Sequence, residues 1–244
     1  MMECVFDGSF KGLMTLVFDT WRLGDEVTAV IQETDAASLL PGRHFPTDDS
    51  KAARILTYIG SRLGEEFAFM VKAAFLSARA ERFRAIVKTI HRACQMGPAA
   101  LDLLEDDILC FLACHREVTR EAHRFQGLLR FRELKDRSLL AVFAPRHHVL
   151  PLILPRFADR FPGEKLILYD EGRGIAGISK QGKITLARVA ELSPQDSDGE
   201  QELEGLWRVF FDHLAIKERF NPDLQRQHVP KYTWKHLPEM RGKP

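Results

Sequence analysis

The feature that most constrains this chain is a change of hydrophobic period near its middle. Between residues 47 and 128, Ile55, Ile59, Leu63, Phe67 and Val71 recur every four residues, the spacing that lays side chains along one helical face. The preceding TDDSKA offers Thr47, Asp48 and Asp49 as acceptors for the free amides of a helix start. Phe83, Ile86, Val87 and Ile90 form a second stripe that stops at Gly97-Pro98, and Asp106 or Asp107 can open a third helix. After Leu129 the period shortens. LRFREL, a KDR turn and SLLAVFAP read as a β-hairpin. HHVLPLILPRFADRFP, interrupted by Pro151 and Pro155, reads as a short helix between strands. KLILYD and KITLARVA read as two further strands joined through a glycine-rich turn, EGRGIAGISKQGK. Residues 191–204 carry six acids and no Lys or Arg, as an exposed loop does, and residues 201–218 read as a last helix. The pattern predicts an α+β protein. Residues 1–100 form a mainly helical portion; residues 101–244 form an antiparallel sheet flanked by helices, with a basic tail. The two can make one continuous domain.

Charge narrows the function classes. Lys+Arg 35 against Asp+Glu 34 leaves a net of +1, so no global field marks a nucleic-acid or membrane partner, and any such partner must be met locally. The apolar runs are too short to span a bilayer, and MMECVFDGSF lacks the basic end and long apolar stretch of a signal peptide. Four cysteines in 244 residues are too few for a disulfide framework. These features predict a cytoplasmic protein with no membrane partner.

Cys110 and Cys114, followed by His115, have the spacing of ligands sharing a helix face. On a helical wheel, however, both fall on the arc of Phe111, Val118, Ala122, Phe125 and Leu129, where a free cysteine serves as a small hydrophobe. No metal is expected there. The opposite sector carries Arg116, Arg120, His123, Arg124 and Gly127. Its like-charge pairs at i,i+4 cost about 0.2–0.5 kcal/mol each, a cost that Glu117 and Glu121 can partly offset. Gly127 carries a helix penalty and would admit a close backbone. Arg130 and Arg132 follow, so residues 115–137 hold seven Lys/Arg against four Asp/Glu, a net of +3. Residues 217–243 hold seven against three, a net of +4, interleaved with His228, Tyr232, Trp234 and His236. Basic side chains among aromatics suit a phosphate backbone and a stacked base. Within the tail, Gln225, Arg226, Gln227, Lys231, Trp234 and Lys235 are the candidate contacts. GxxxxGK[ST], HExxH, GxSxG and CxxC are absent. Gly172, Gly174 and Gly177 have GxGxxG spacing but lie in a strand–strand connection, which makes them a turn and not a dinucleotide loop, and no cofactor is expected. For acid–base work the candidates are His123, Glu121, His148 and Asp170.

FDGSFKGL, REAHRFQGLLRFREL, PRHHVLPLILPRFADRFP, LYDEGRG and a C-terminal run containing NP, LQRQ, VPK and LPE occur in one order along the chain. In that order they resemble a bacterial DNA repair or DNA metabolism family encoded beside a radical-SAM DNA modification or repair protein. A related domain is fused to uracil-DNA-glycosylase-like proteins. The resemblance covers nearly the whole chain and is weakest between about Thr20 and Gly97. It rests on Asp7, Gly8, Ser9, Glu121, His123, Arg124, Phe131, Pro145, His148, Pro151, Phe157, Arg160, Phe161, Asp170 and Arg173, and in the tail on Trp207, Glu218, Arg219, Asn221, Pro222, Gln225, Arg226, Gln227, Pro230, Lys231, Trp234 and Lys235. Tyr232-Thr233 departs from it, since the family has a basic residue followed by an aromatic there.

The resemblance implies DNA and a radical-SAM protein as partners without naming a reaction. The leading expectation is a DNA-binding accessory of a repair or base-modification system, with the helix arginines and the tail holding phosphates. One rival is an enzyme acting on a nucleobase or a sugar–phosphate lesion, in the manner of a glycosylase or lyase. Another is a protein-binding scaffold for the radical-SAM partner.

Overall fold

The structure, a computed structural model, describes residues 2–23, 26–33, 42–189, 194–214 and 221–240. The chain divides into two compact units, Met1–Thr119 and Arg120–Pro244. The fold is α+β. Glu218 and Arg219, the charged tail residues Lys217, Arg241 and Lys243, and the end of the expected 201–218 helix lie outside the described residues.

The first unit is helical as its period requires, but it also holds a small sheet. Strand β1 (Met2–Phe6) lies between β2 (Val27–Gln32) and β3 (Arg43–His44), and both pairings are parallel. Helix α1 (Phe10–Asp19) connects β1 to β2, and the Ser9 side chain accepts from the Gly12 amide to cap it. Pattern reading misses this sheet because β1 turns only Cys4 and Phe6 fully inward, too short an alternation to register as a strand. Helix α2 (Asp49–Tyr58) starts on Asp48, which accepts from the amides of Ser50 and Lys51. A wider turn over Ile59–Leu63 ends at Gly64, whose φ of +92° favours glycine, before α3 (Glu65–Phe75) begins. Ile59, Leu63, Phe67 and Val71 from the four-residue stripe are all buried. Helix α4 (Arg82–Met96) ends at Gly97, and α5 (Asp106–Leu128) passes from the first unit into the second.

The second unit is built on a five-stranded sheet in the order β4-β5-β6-β7-β8. Strands β4 (Arg132–Glu133) and β5 (Leu139–Phe143) form the expected hairpin, turning through Arg137 at φ +61°. The sheet is mixed rather than antiparallel throughout. Helix α6 (Leu150–Arg160) carries the chain across, so β6 (Leu166–Asp170) returns parallel to β5 in the register Leu139–Leu166 through Phe143–Asp170. The segment expected to be only a turn contains strand β7 (Ile175–Lys180), with Gly174 and Gly182 at positive φ on either side, and β8 (Lys183–Arg188) follows. Gly177 lies under α6, where an added Cβ would come within 2.6 Å of Leu154 Cδ2. That absence of a side chain hides the strand from pattern reading and lets the helix pack. Leu150, Ile153, Leu154 and Phe157 of α6 are buried. Helices α7 (Glu200–Leu214) and α8 (Pro222–His228) and short 3-10 turns at Lys231–His236 and Pro238–Met240 complete the unit. Among the described residues, no helix is long and apolar enough to cross a membrane.

Candidate nucleic-acid interface

The periodicity of α5 decides which charges face outward. Phe111, Cys114 and Val118 are buried in the first unit, and Ala122, Phe125 and Leu129 in the second, so the apolar arc of the wheel faces inward. Burial pushes the Cys110 thiol up to about 11 and raises that of Cys114, which keeps both protonated. No group of three His, Cys, Asp or Glu side chains converges as a metal ion would need among the described residues. On the other sector, Arg116 in the first unit and Arg120 and His123 in the second are exposed, while Arg124 is half-buried. Gly127 is open: an added Cβ would meet nothing within 4 Å, and its carbonyl accepts from Arg130 Nη1 at 2.9 Å.

The two acids expected to offset these arginines are engaged elsewhere. Arg79 holds Glu117 through both Nε and Nη2, and this pairing raises the arginine's affinity for its proton. Glu121 is turned inward and is only 4% exposed. Its carboxylate accepts from the Arg146 amide at 3.0 Å, the His147 amide at 2.7 Å and the Tyr232 hydroxyl at 2.8 Å. Among the described residues neither Arg120 nor His123 has an ion-pair partner. Arg124 lies beside the Tyr232 hydroxyl. Burial and the Glu121 carboxylate push that phenol up to about 12, and Arg124 acts in the opposite sense. The Tyr232-Thr233 departure is therefore an anchor: Tyr232 reaches Glu121, and the Thr233 hydroxyl donates to the Pro230 carbonyl at 2.7 Å.

The other cations named from sequence are mostly paired. Arg130 donates to buried Glu239 through Nε at 3.1 Å and Nη2 at 2.6 Å, and its guanidinium lies 5.2 Å from the Trp207 ring centre. Arg132 pairs with Asp196 at 3.1 Å, Lys235 with Glu171, and Arg226 with Asp223 at 3.2 Å. Arg130, Arg132 and Lys235 thus line a cavity of about 960 Å³ with their charges already balanced. Lys231 is exposed, with its ammonium 5.5 Å from the Trp234 ring centre, and Trp234 donates to the Val229 carbonyl at 2.8 Å. Gln225 reaches the Met240 sulfur at 3.7 Å, and Gln227 is exposed.

Of the acid–base candidates, three gather around one loop, residues 145–148: Glu121 from α5, Asp170 from the end of β6, and His148 on the loop itself. Asp170 is fully buried and meets Arg173 through the backbone amide and Nη1, at 3.2 and 3.0 Å. The same guanidinium donates to the carbonyls of Pro145 and Arg146 at 3.0 and 2.6 Å. Arg173 therefore holds the 145–148 loop by its carbonyls, while Glu121 holds it by its amides. Burial pushes the Asp170 carboxyl up, and Arg173 offsets part of that. His148 lies on this loop with Nδ1 4.0 Å from Asp170 Oδ2 and no hydrogen-bond partner for that nitrogen. Burial and Arg173 push its imidazole down to about 4. His123 is exposed and does not join this group.

The His148 environment gives a stability signature. An unfolded imidazole takes a proton near pH 6.5, whereas the folded one resists it until about pH 4. Stability therefore falls by about 2–3 kcal/mol as pH drops through this window. Asp170, shifted upward, contributes with the opposite sign just above the ordinary carboxylate range. His148→Phe should flatten the pH dependence of urea midpoints between pH 6.5 and 4. An unchanged slope would contradict the burial of this imidazole.

A family model described as a domain of unknown function (DUF4130) matches residues 80–239, about two thirds of the chain. No curated protein and no solved structure matches.

Proposed function

The chain belongs to the DUF4130 family, and we propose that it is a DNA-binding accessory of a bacterial repair or base-modification system, acting with a radical-SAM partner. The observation that carries this reading is the inward turn of Glu121, which leaves the adjacent outer arginines without a carboxylate. Arg120 and Arg124 flank Glu121 on α5. Tyr232 reaches the same carboxylate, and Arg146, also exposed, is tied to it by its amide. Lys231 is next to Tyr232 and exposed. Unpaired cations around an exposed aromatic suit phosphates flanking a base or a distorted strand. The motif resemblance adds the repair context and the radical-SAM partner. Arg130 and Lys235 support the site by bracing the tail through Glu239 and Glu171, while Arg132 pairs with Asp196 ahead of α7, so all three charges are balanced internally.

Fluorescence anisotropy with single- and double-stranded oligonucleotides over a salt series tests this. Binding should weaken steeply with salt as counterions are released. Binding too weak to measure at low salt would remove the proposal. His148, whose Nδ1 has no hydrogen-bond partner and lies near Asp170, is what the enzyme reading would rest on, and turnover of a lesion-bearing oligonucleotide would put that reading in its place.

A further inference from the structure

The first unit holds a separate cavity of about 600 Å³ at the end of α1. Phe18, Trp21 and Arg22 line it from α1 and the following turn, and Arg54 and Tyr58 line it from α2. Its volume is within the range of small-molecule sites. Trp21 and Tyr58 remain 43% and 38% exposed, presenting aromatic surface that the fold itself leaves uncovered. Arg54 lies 4.9 Å from the Phe18 ring centre, which holds one guanidinium at the wall.

Among the described residues, the charge in this cavity is not balanced. Asp19 is occupied by Lys51, whose ammonium donates to both carboxylate oxygens at 2.7 and 3.0 Å. Arg22 and Arg54 have no ion-pair partner among the described residues. The Cys94 thiol is pushed up to about 11 by burial and adds no negative charge. The carbonyl end of α1 makes no demand on Arg22 either. Leu16 O accepts from the Thr20 amide and hydroxyl at 2.9 and 2.7 Å, and Phe18 O accepts from the Trp21 amide at 3.5 Å. Two free guanidiniums beside open aromatic rings fit a ligand that joins a planar ring to a dianionic group.

We propose that this cavity binds a nucleoside monophosphate, with the base against Trp21 and Tyr58 and the phosphate held by Arg22 and Arg54. The site lies in the first unit and is independent of the Arg120–Arg124 interface, so either can fail alone.

Calorimetric titration of the full chain with each of the four deoxynucleoside monophosphates, with deoxyadenosine and with inorganic phosphate tests the assignment. At least one monophosphate should bind, at least about tenfold more tightly than deoxyadenosine or phosphate alone, because both halves contribute. Trp21→Ala and Arg54→Gln should each weaken binding by about tenfold or more, the first through lost stacking and the second through a lost charge-assisted bond. Both side chains are well exposed, and an unchanged circular dichroism spectrum would certify folding. No heat with any monophosphate, equal affinity for deoxyadenosine or phosphate, or affinity unchanged in both variants would overturn the proposal.

Discussion

Glu121→Ala should destabilise the second unit by about 3–5 kcal/mol, lowering its thermal midpoint by about 10 °C or more. The substitution removes the shared acceptor of the Arg146 and His147 amides and the Tyr232 hydroxyl, and the His147 amide is buried. A buried donor left without a partner costs about 1–3 kcal/mol, and Glu121 serves three donors. Glu121→Gln keeps one oxygen but turns an NH2 toward a former donor, so it should recover only part of the loss. Urea denaturation followed by tryptophan fluorescence measures both. A loss below about 1 kcal/mol for the alanine variant would mean that the carboxylate does not hold the loop.

Arg173→Ala should cost a similar amount, about 3–5 kcal/mol near neutral pH, because it leaves the fully buried Asp170 without its cation. The carbonyls of Pro145 and Arg146 lose their donor in the same step. The loss has a pH signature. Without the guanidinium, only the backbone amides of residues 172 and 173 oppose burial on a carboxyl that is already shifted up, so the proton is bound more readily in the folded state. The deficit should therefore shrink as pH falls toward the Asp170 range and grow as it rises. His148 should respond as well. Arg173 helps to hold its imidazole at about 4, so its titration followed by NMR should move upward in the variant. Adding Asp170→Asn should restore part of the stability, since the unpaired charge is then gone. A pH-independent loss with no rescue would contradict the pairing.

Legibility follows sequence separation. Local features are readable: the Ile59, Leu63, Phe67 and Val71 stripe, the hairpin around Arg137, the start of α5 at Asp106 and the inward Cys114. The parallel return of β6 is not, because a crossover helix and a hairpin have the same strand pattern and differ only in how the connection docks. Helical spacing sets Glu121 beside the arginines as a neutralising neighbour. Its partners at 146, 147 and 232 belong to a loop and a tail that no local pattern connects to α5. Arg130 reads as a phosphate ligand until Glu239, 109 residues away, is brought against it. A basic run in a sequence shows where charge resides; only the fold shows which of those charges remain unpaired.

The salt dependence of DNA binding by the Arg120→Ala/Arg124→Ala variant tests the central claim most directly. If these side chains neutralise phosphates, the slope of log K against log salt should fall by about 2 relative to the parent chain. Arg132→Ala, which removes a guanidinium already paired with Asp196, should leave the slope unchanged. Equal slopes for the parent and the double variant, with folding intact in both, would contradict the account.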